Sequence, residues 1–140
     1  AVEGQEASSL ARELYRNRNP YVGNASQNGR LVQLLEMGET AGNFHMELET
    51  REEPYVLRIV MADIPEDEKV LNQQMTRHSL LLLALIDNAD AIQWTYPVPA
   101  QFESAAALHQ VDRDDLYETL EVDLADFELT PDVLDRLLAL

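Results

Sequence analysis

The sequence predicts an α+β domain: a three-stranded antiparallel sheet, helices covering one of its faces, the order ααββαβ, and a helical C-terminal part. Three observations predict it. Phe44, Met46 and Leu48 alternate with His45, Glu47 and Glu49, and Tyr55, Leu57, Ile59 and Met61 alternate with Val56, Arg58 and Val60, the period of two expected of strands. Ile92, Trp94 and Tyr96 repeat that pattern around Gln93 and Thr95. Between them Leu71, Met75, His78, Leu82 and Leu85 recur at intervals of four and three, one continuous stripe of a long helix.

Taken in order, residues 1–7 read as a mobile polar leader and residues 8–140 as the domain, with 98–140 its helical C-terminal part. Ser8 or Ser9 caps a first helix that carries Leu10 and Leu14 on one face, with Tyr15 beside them. A rigid loop follows, Asn19-Pro20-Tyr21-Val22-Gly23-Asn24-Ala25-Ser26. Proline fixes its own φ and pushes Asn19 toward extended backbone, and Gly23 and Asn24 are residue types that enter positive φ most easily. Ser26 stands in N-cap position before Leu31, Leu34 and Leu35, which starts a second helix running to about Met37 with Gly38 as its stop. Tyr21 is the apex of the loop.

The two first strands form a hairpin across Arg51–Pro54, with Arg58 within reach of His45, Glu47 or Glu49 on a solvated face. Asp63 to Glu68 is the start of the long helix, proline near its first turn and acids at the positive end of its dipole, and the helix runs to about Asn88. The third strand is closed by Pro97 and Pro99, and a helical crossover sets it beside the first, giving strand order 2-1-3. Gln101 to Val111 carries no legible pattern. Asp112 with Asp115 resembles a capping box, and Thr130-Pro131-Asp132 is an N-cap, a proline at N1 and a first-turn acid. The last helix bears Val133, Leu134, Leu137 and Leu138, a stripe suited to capping the core or docking on a partner.

A net charge of −16 on 140 residues argues against nucleic acid and anionic lipid as partners. The charge is uneven. Residues 1–30 hold four basic and three acidic side chains (+1), residues 31–97 four and twelve (−8), and residues 98–140 two and eleven (−9). The N-terminal helix and loop are therefore the part least repelled by an anionic group. Lys69 is the single lysine; the other basic residues are arginine, suited to forked contacts with carboxylate or phosphate. The chain has no cysteine, and its longest apolar run, Leu80 to Ile86, falls far short of the roughly 18 residues that span a bilayer. Its start lacks a signal-peptide pattern and an initiator methionine, so it reads as mature or trimmed, with any anchor upstream.

Catalytic chemistry finds little support. His45, His78 and His109 show neither i, i+4 spacing on a helix nor an H-E-x-x-H run, and His78 in an apolar stripe reads as a packed, hydrogen-bonded side chain. Asp112, Asp114 and Asp115 lack the glycine and distal glutamate of a calcium loop. The serines form no G-x-S-x-G elbow and no S-x-x-K pair, and the five glycines match no phosphate or dinucleotide loop. No catalytic, cofactor-binding or metal-ligating residue is assigned, and no cofactor is expected. The loop then has two readings. In one it fixes the angle between two helices while Tyr21 packs on the sheet. In the other, Arg16, Arg18, Tyr21, Gly23 and Asn24 present an interaction surface.

Leu14-Tyr15-Arg16-Asn17-Arg18-Asn19-Pro20-Tyr21-Val22-Gly23-Asn24, followed by Glu47-Leu48-Glu49-Thr50-Arg51-Glu52-Glu53-Pro54-Tyr55, resembles an uncharacterised, mainly Gram-positive domain family. That family is found on lipoproteins and outside the membrane on sensor-type membrane peptidases. The likeness covers about Leu10 to Pro97, and Asn24 stands where the family more often has aspartate, which weakens any idea of a cation there. The resemblance implies an extracytoplasmic, membrane-tethered location and no activity. The function expected is a non-enzymatic sensing or protein-interaction module, its partner a protein or a small ligand, with membrane contact only through an upstream anchor. The alternative is a small-ligand-binding protein or small enzyme using a polar pocket near Arg18 and Tyr21.

Overall fold

A computed structural model describes residues 7–98 and 105–140; apart from Ala7, the predicted leader lies outside the described residues. Helix α1 (Ser9–Arg16) begins where the Ser8 hydroxyl accepts from Ala11 N at 3.1 Å. Its buried face is Ala11 and Leu14, while Leu10 turns outward, so the i, i+3 pair and not the expected i, i+4 pair meets the core. Helix α2 (Ala25–Leu34) is capped by Asn24, whose side chain accepts from Gln27 N, two residues before the expected cap at Ser26. It ends at Leu34 because Glu36 adopts a left-handed φ of 56°, and a short α3 (Met37–Ala41) follows. Gly38, expected to stop the helix, sits within α3; the stop is Gly42, at φ 68°. Neither Gly23 nor Asn24 takes positive φ.

Strands β1 (Phe44–Glu49) and β2 (Val56–Met61) form the expected antiparallel hairpin, Glu47 opposite Arg58. Helix α4 (Glu68–Leu85) is capped by Asp67, with Pro65 just ahead of it. It stops at Leu85, short of Asn88, because Ile86 turns extended and bridges Asn19. Strand β3 (Ala91–Val98) runs through Pro97, and β4 (Ala105–Asp112) occupies the stretch without a legible pattern.

The sheet is therefore mixed and four-stranded, in order β1-β2-β3-β4, with β2 parallel to β3 and the other pairs antiparallel. This corrects both the expected three antiparallel strands and the order 2-1-3. The α4 crossover returns the chain so that β3 lies parallel beside β2, the arrangement such connections favour. The other side of β3 is then open to β4, and β1 is left at an edge. The segment from 98 onward accordingly contributes a strand before its helices. Helices α5 (Arg113–Leu120) and α6 (Pro131–Leu138) flank a 3₁₀ turn at Leu124–Asp126. Both local start signals hold: Asp112 and Asp115 form a reciprocal capping box, and Thr130 caps α6 with Pro131 in the first turn.

One sheet face is covered. Leu57, Ile59, Ile92, Trp94, Tyr96 and Val111 join the α4 stripe of Leu71, Met75, Leu82 and Leu85 in the core. Leu134 and Leu137 of α6 are fully buried in the same core, each contributing about 1.5–3 kcal/mol by removal from water. The last helix caps the core. It packs against α1 and α4, and Ser8 ties the two ends of the chain by donating from its hydroxyl and its backbone N–H to Asp135 at 2.6 and 2.7 Å. His78, buried in the stripe, pairs through Nε2 with Thr40 Oγ1 at 3.1 Å, while its Nδ1 has no partner among the described residues; burial, with Arg77 adding to it, lowers its pKa to about 4.

The opposite sheet face is wet and carries one polar rung across all four strands. Arg58 Nη1 donates to Glu47 at 3.1 Å and Arg58 Nε to Gln93 at 2.9 Å, and Gln93 Nε2 donates to Gln110 at 2.7 Å. Hydrogen bonds from His45 first and Arg58 second hold the Glu47 carboxyl below its usual range. Exposed pairs of this kind add little stability.

Candidate functional site

The loop between α1 and α2 is held by amides. Asn19 is buried, and its backbone N–H donates to Leu85 O at 2.8 Å while its C=O accepts from Asp87 N at 2.9 Å, so the loop pairs with the chain leaving α4 like a one-residue parallel strand. The Asn19 side chain donates to Asn28 Oδ1 at 2.8 Å and accepts from Tyr21 N at 3.0 Å. Asn28, fully buried on α2, donates on to Val22 O at 2.6 Å, and Asn88 accepts from Val22 N at 2.6 Å. Val22 itself is in the core. Three asparagines thus satisfy the backbone of a loop that would otherwise bury unpaired groups.

Beside this clamp lies a cleft of about 830 Å³. Its lining comes from three stretches of chain: Arg16, Arg18, Asn19 and Pro20 at the end of α1 and after it, Ala84, Leu85 and Asp87 at the end of α4, and Arg113, Tyr117, Leu124, Phe127 and Leu129 from α5 onward. Arg18 is preset: its guanidinium lies 4.0 Å over the Tyr15 ring and Nη1 donates to Tyr15 O at 2.7 Å. Arg16 reaches Glu13 at 3.3 Å in an exposed pair. Arg113 is engaged structurally, donating to the carbonyls of Ala89, Ile86 and Asp87 at 2.6, 2.6 and 2.7 Å, which closes the end of α4. In the same lining, Tyr117 and Phe127 pack with ring centroids 5.3 Å apart, and Leu124 is 69% exposed. Arginine against aromatic and apolar groups is the composition of binding surfaces.

Of the five residues expected to form an interaction surface, the structure brings Arg16 and Arg18 to this cleft. Tyr21 does not pack on the sheet; it is 67% exposed at the loop apex, outside the cleft wall. Asn24 serves α2 as its cap, and Gly23 stands in open space. Among the described residues no three of His, Cys, Asp and Glu gather as metal ligands, and no helix is long and apolar enough to cross a membrane.

The chain belongs to the family described as Domain of unknown function (DUF4825), matched over residues 14–107. No curated protein and no solved structure matches it. The DUF4825 match divides the cleft. Arg16, Arg18, Pro20 and Asp87 lie within it, whereas Arg113, Tyr117, Leu124 and Phe127 lie beyond its end. The part of the lining from 113 to 129 is what reading the sequence missed, since nothing local there says that it shares a cleft with Arg18. The only available signal was the capping box, which starts α5 and so aims Arg113 and Tyr117.

Proposed function

We propose that this chain is a non-enzymatic, extracytoplasmic interaction module, tethered to the membrane through an upstream segment, and that the arginine-walled cleft is its contact surface. One observation carries the reading: in a chain of net charge −16, Arg16 and Arg18 share an open cleft with exposed Leu124 and half-buried Phe127. A partner segment that pairs a carboxylate with an apolar or aromatic side chain fits this lining. Arg113 is held by backbone carbonyls and Arg18 by Tyr15, which supports a binding reading of the cleft over a catalytic one. The tether rests on the Leu-Tyr…Pro-Tyr-Val-Gly resemblance, the mainly Gram-positive lipoproteins and membrane peptidases that carry it.

The cleft's volume, about 830 Å³, falls in the range of small-ligand sites, which favours a small anionic ligand as the second reading. A photo-crosslinking residue placed at Leu124 in cells of the native host separates the two. The interaction reading expects a protein adduct at Leu124 that is lost with Arg16→Ala/Arg18→Ala and absent from a control probe at exposed Val70. With the partner in hand, Arg18→Ala is expected to weaken binding by about 1–2 kcal/mol. Adduct formation indifferent to both arginines sinks the assignment of this surface, and saturable binding of a small carboxylate without any protein adduct favours the second reading. The tether is checked separately: upstream coding sequence with no lipobox, signal peptide or membrane helix removes it.

A further inference from the structure

A second polar network lies along the N-terminal half of α4, and donor–acceptor chemistry assigns its hydrogen-bond roles. Trp94 Nε1 can only donate, and it donates to Asn72 Oδ1 at 2.9 Å, which fixes the Asn72 amide so that Nδ2 faces Tyr96 Oη at 3.0 Å. The Tyr96 hydroxyl gives its single proton to Glu68 Oε2 at 2.7 Å. Burial first, and then the Glu68 contact, raise the Tyr96 pKa, which keeps that proton on the phenol. The Tyr96 oxygen therefore has no proton left for His109, whose Nε2 stands 3.0 Å away. Nε2 must be the N–H, and in the neutral ring Nδ1 holds the lone pair. The ring is fixed in place by stacking, its centroid 5.4 Å from Trp94 and 5.7 Å from Tyr96, and no described residue pairs with its Nδ1.

His109 lines a separate open cleft of about 620 Å³ between α4, β4 and α5. Its charged lining residues are Asp115 and Glu118, and Leu80 and Val111 supply apolar wall. Fixed acceptors, carboxylates and a short apolar stretch together describe the complement of one kind of ligand. We propose that this cleft is a second binding site, independent of the arginine cleft, for an alkyl cation: a lysine- or arginine-type side chain whose stem lies on Leu80 and Val111 and whose head donates to His109 Nδ1 between Asp115 and Glu118. The strongly negative field of the whole chain concentrates such cations at its surface, and the histidine supplies the directional contact that the field alone lacks.

The test is an NMR titration of ¹⁵N-labelled protein. Long-range ¹H–¹⁵N spectra of the free protein are expected to show His109 as the Nε2–H tautomer; an Nδ1–H ring overturns the proposal before any ligand is added. Acetyl-arginine methylamide, acetyl-lysine methylamide and free agmatine are then added, with acetyl-norleucine methylamide as the uncharged control. Saturable shifts at His109 and the Trp94 indole are expected with the cations and not with the control. Glu118→Gln is expected to weaken binding several-fold, and His109→Phe, which keeps the stacking, by about tenfold. Should His109→Phe fail to fold, the tautomer and Glu118→Gln still decide. Cation shifts that spread over the acidic surface without saturating, or that the norleucine control reproduces, overturn the proposal. A preference for the amino-acid amides over agmatine identifies a protein segment as the natural source, and the reverse identifies a free cation.

Discussion

The two polar networks flanking α4 use opposite chemistry. Around Asn19, Asn28 and Asn88 every side chain is a neutral amide, and the bonds run from amide to amide or to backbone, closing on Val22 and Asn19 themselves. Around Tyr96 three of the four polar side chains, Glu68, Tyr96 and His109, are ionisable, and the chain of bonds ends on a histidine nitrogen at a cleft. The first network is closed and insensitive to protons, so it can hold the α1–α2 loop at a constant angle to the end of α4. The second is open at one end, so it can orient a group toward a ligand. A closed amide set serves shape, and an open ionisable set is suited to recognition.

The sharpest way to break that contrast is Asn28→Ala. Asn28 is fully buried, and its loss leaves the Val22 carbonyl without its partner and the Asn19 Nδ2 with only a long 3.4 Å bond to Asn24 O. One buried unpaired carbonyl, a weakened amide and a small cavity are expected to cost about 3 kcal/mol, read as a shift of the urea midpoint, with a pH profile parallel to that of the parent. A cost under about 1 kcal/mol would mean that the loop is not clamped here.

A second prediction follows from His78, a buried ionisable group in neither network. Its pKa in the fold is about 4, below the 6.5 of a free histidine. As pH falls below 6.5 the unfolded chain takes up a proton that the fold refuses, so stability is full above 6.5 and is lost progressively down to pH 4. The loss from this one group is on the order of 3 kcal/mol. The difference between parent and His78→Gln unfolding free energies, measured from pH 7 to pH 4, should trace that slope. A constant difference refutes it.

Tyr96→Phe should cost less, about 1–2 kcal/mol, although it removes three hydrogen bonds. Glu68 is exposed and His109 only half-buried, so water can replace the lost partner at both. Thermal unfolding measures the cost, and the His109 tautomer in the same variant should become mixed. A cost equal to that of Asn28→Ala would erase the distinction between an open and a closed network.

How much of this was legible depends on range. The cap at Ser8, the box at Asp112 and Asp115 and the Thr130-Pro131 start are read from residues three apart, and the strand alternations and the α4 stripe from single segments. Each of these held because the physics is local. Boundaries shifted where a neighbour intervened, as when Asn19 drew Ile86 out of α4. The fourth strand escaped notice because Ala105-Ala106-Ala107-Leu108 carries no β-branched signal; it is a strand because β3 offers a free edge, which no residue within 105–112 specifies.

The same division holds for the candidate sites. Residue types alone determined that Arg16 and Arg18 lie on the least acidic part of the chain and that a long helix crosses a sheet. Tertiary structure alone decided the strand order, because a crossover can return on either side of a hairpin, and it alone set Tyr117 and Leu124 in one cleft with Arg18. It also turned His109 from an isolated residue into the end of a bonded chain. Helix caps and periodicities are encoded within a few residues, whereas a cleft is made of walls whose only relation is the packing that brings them together.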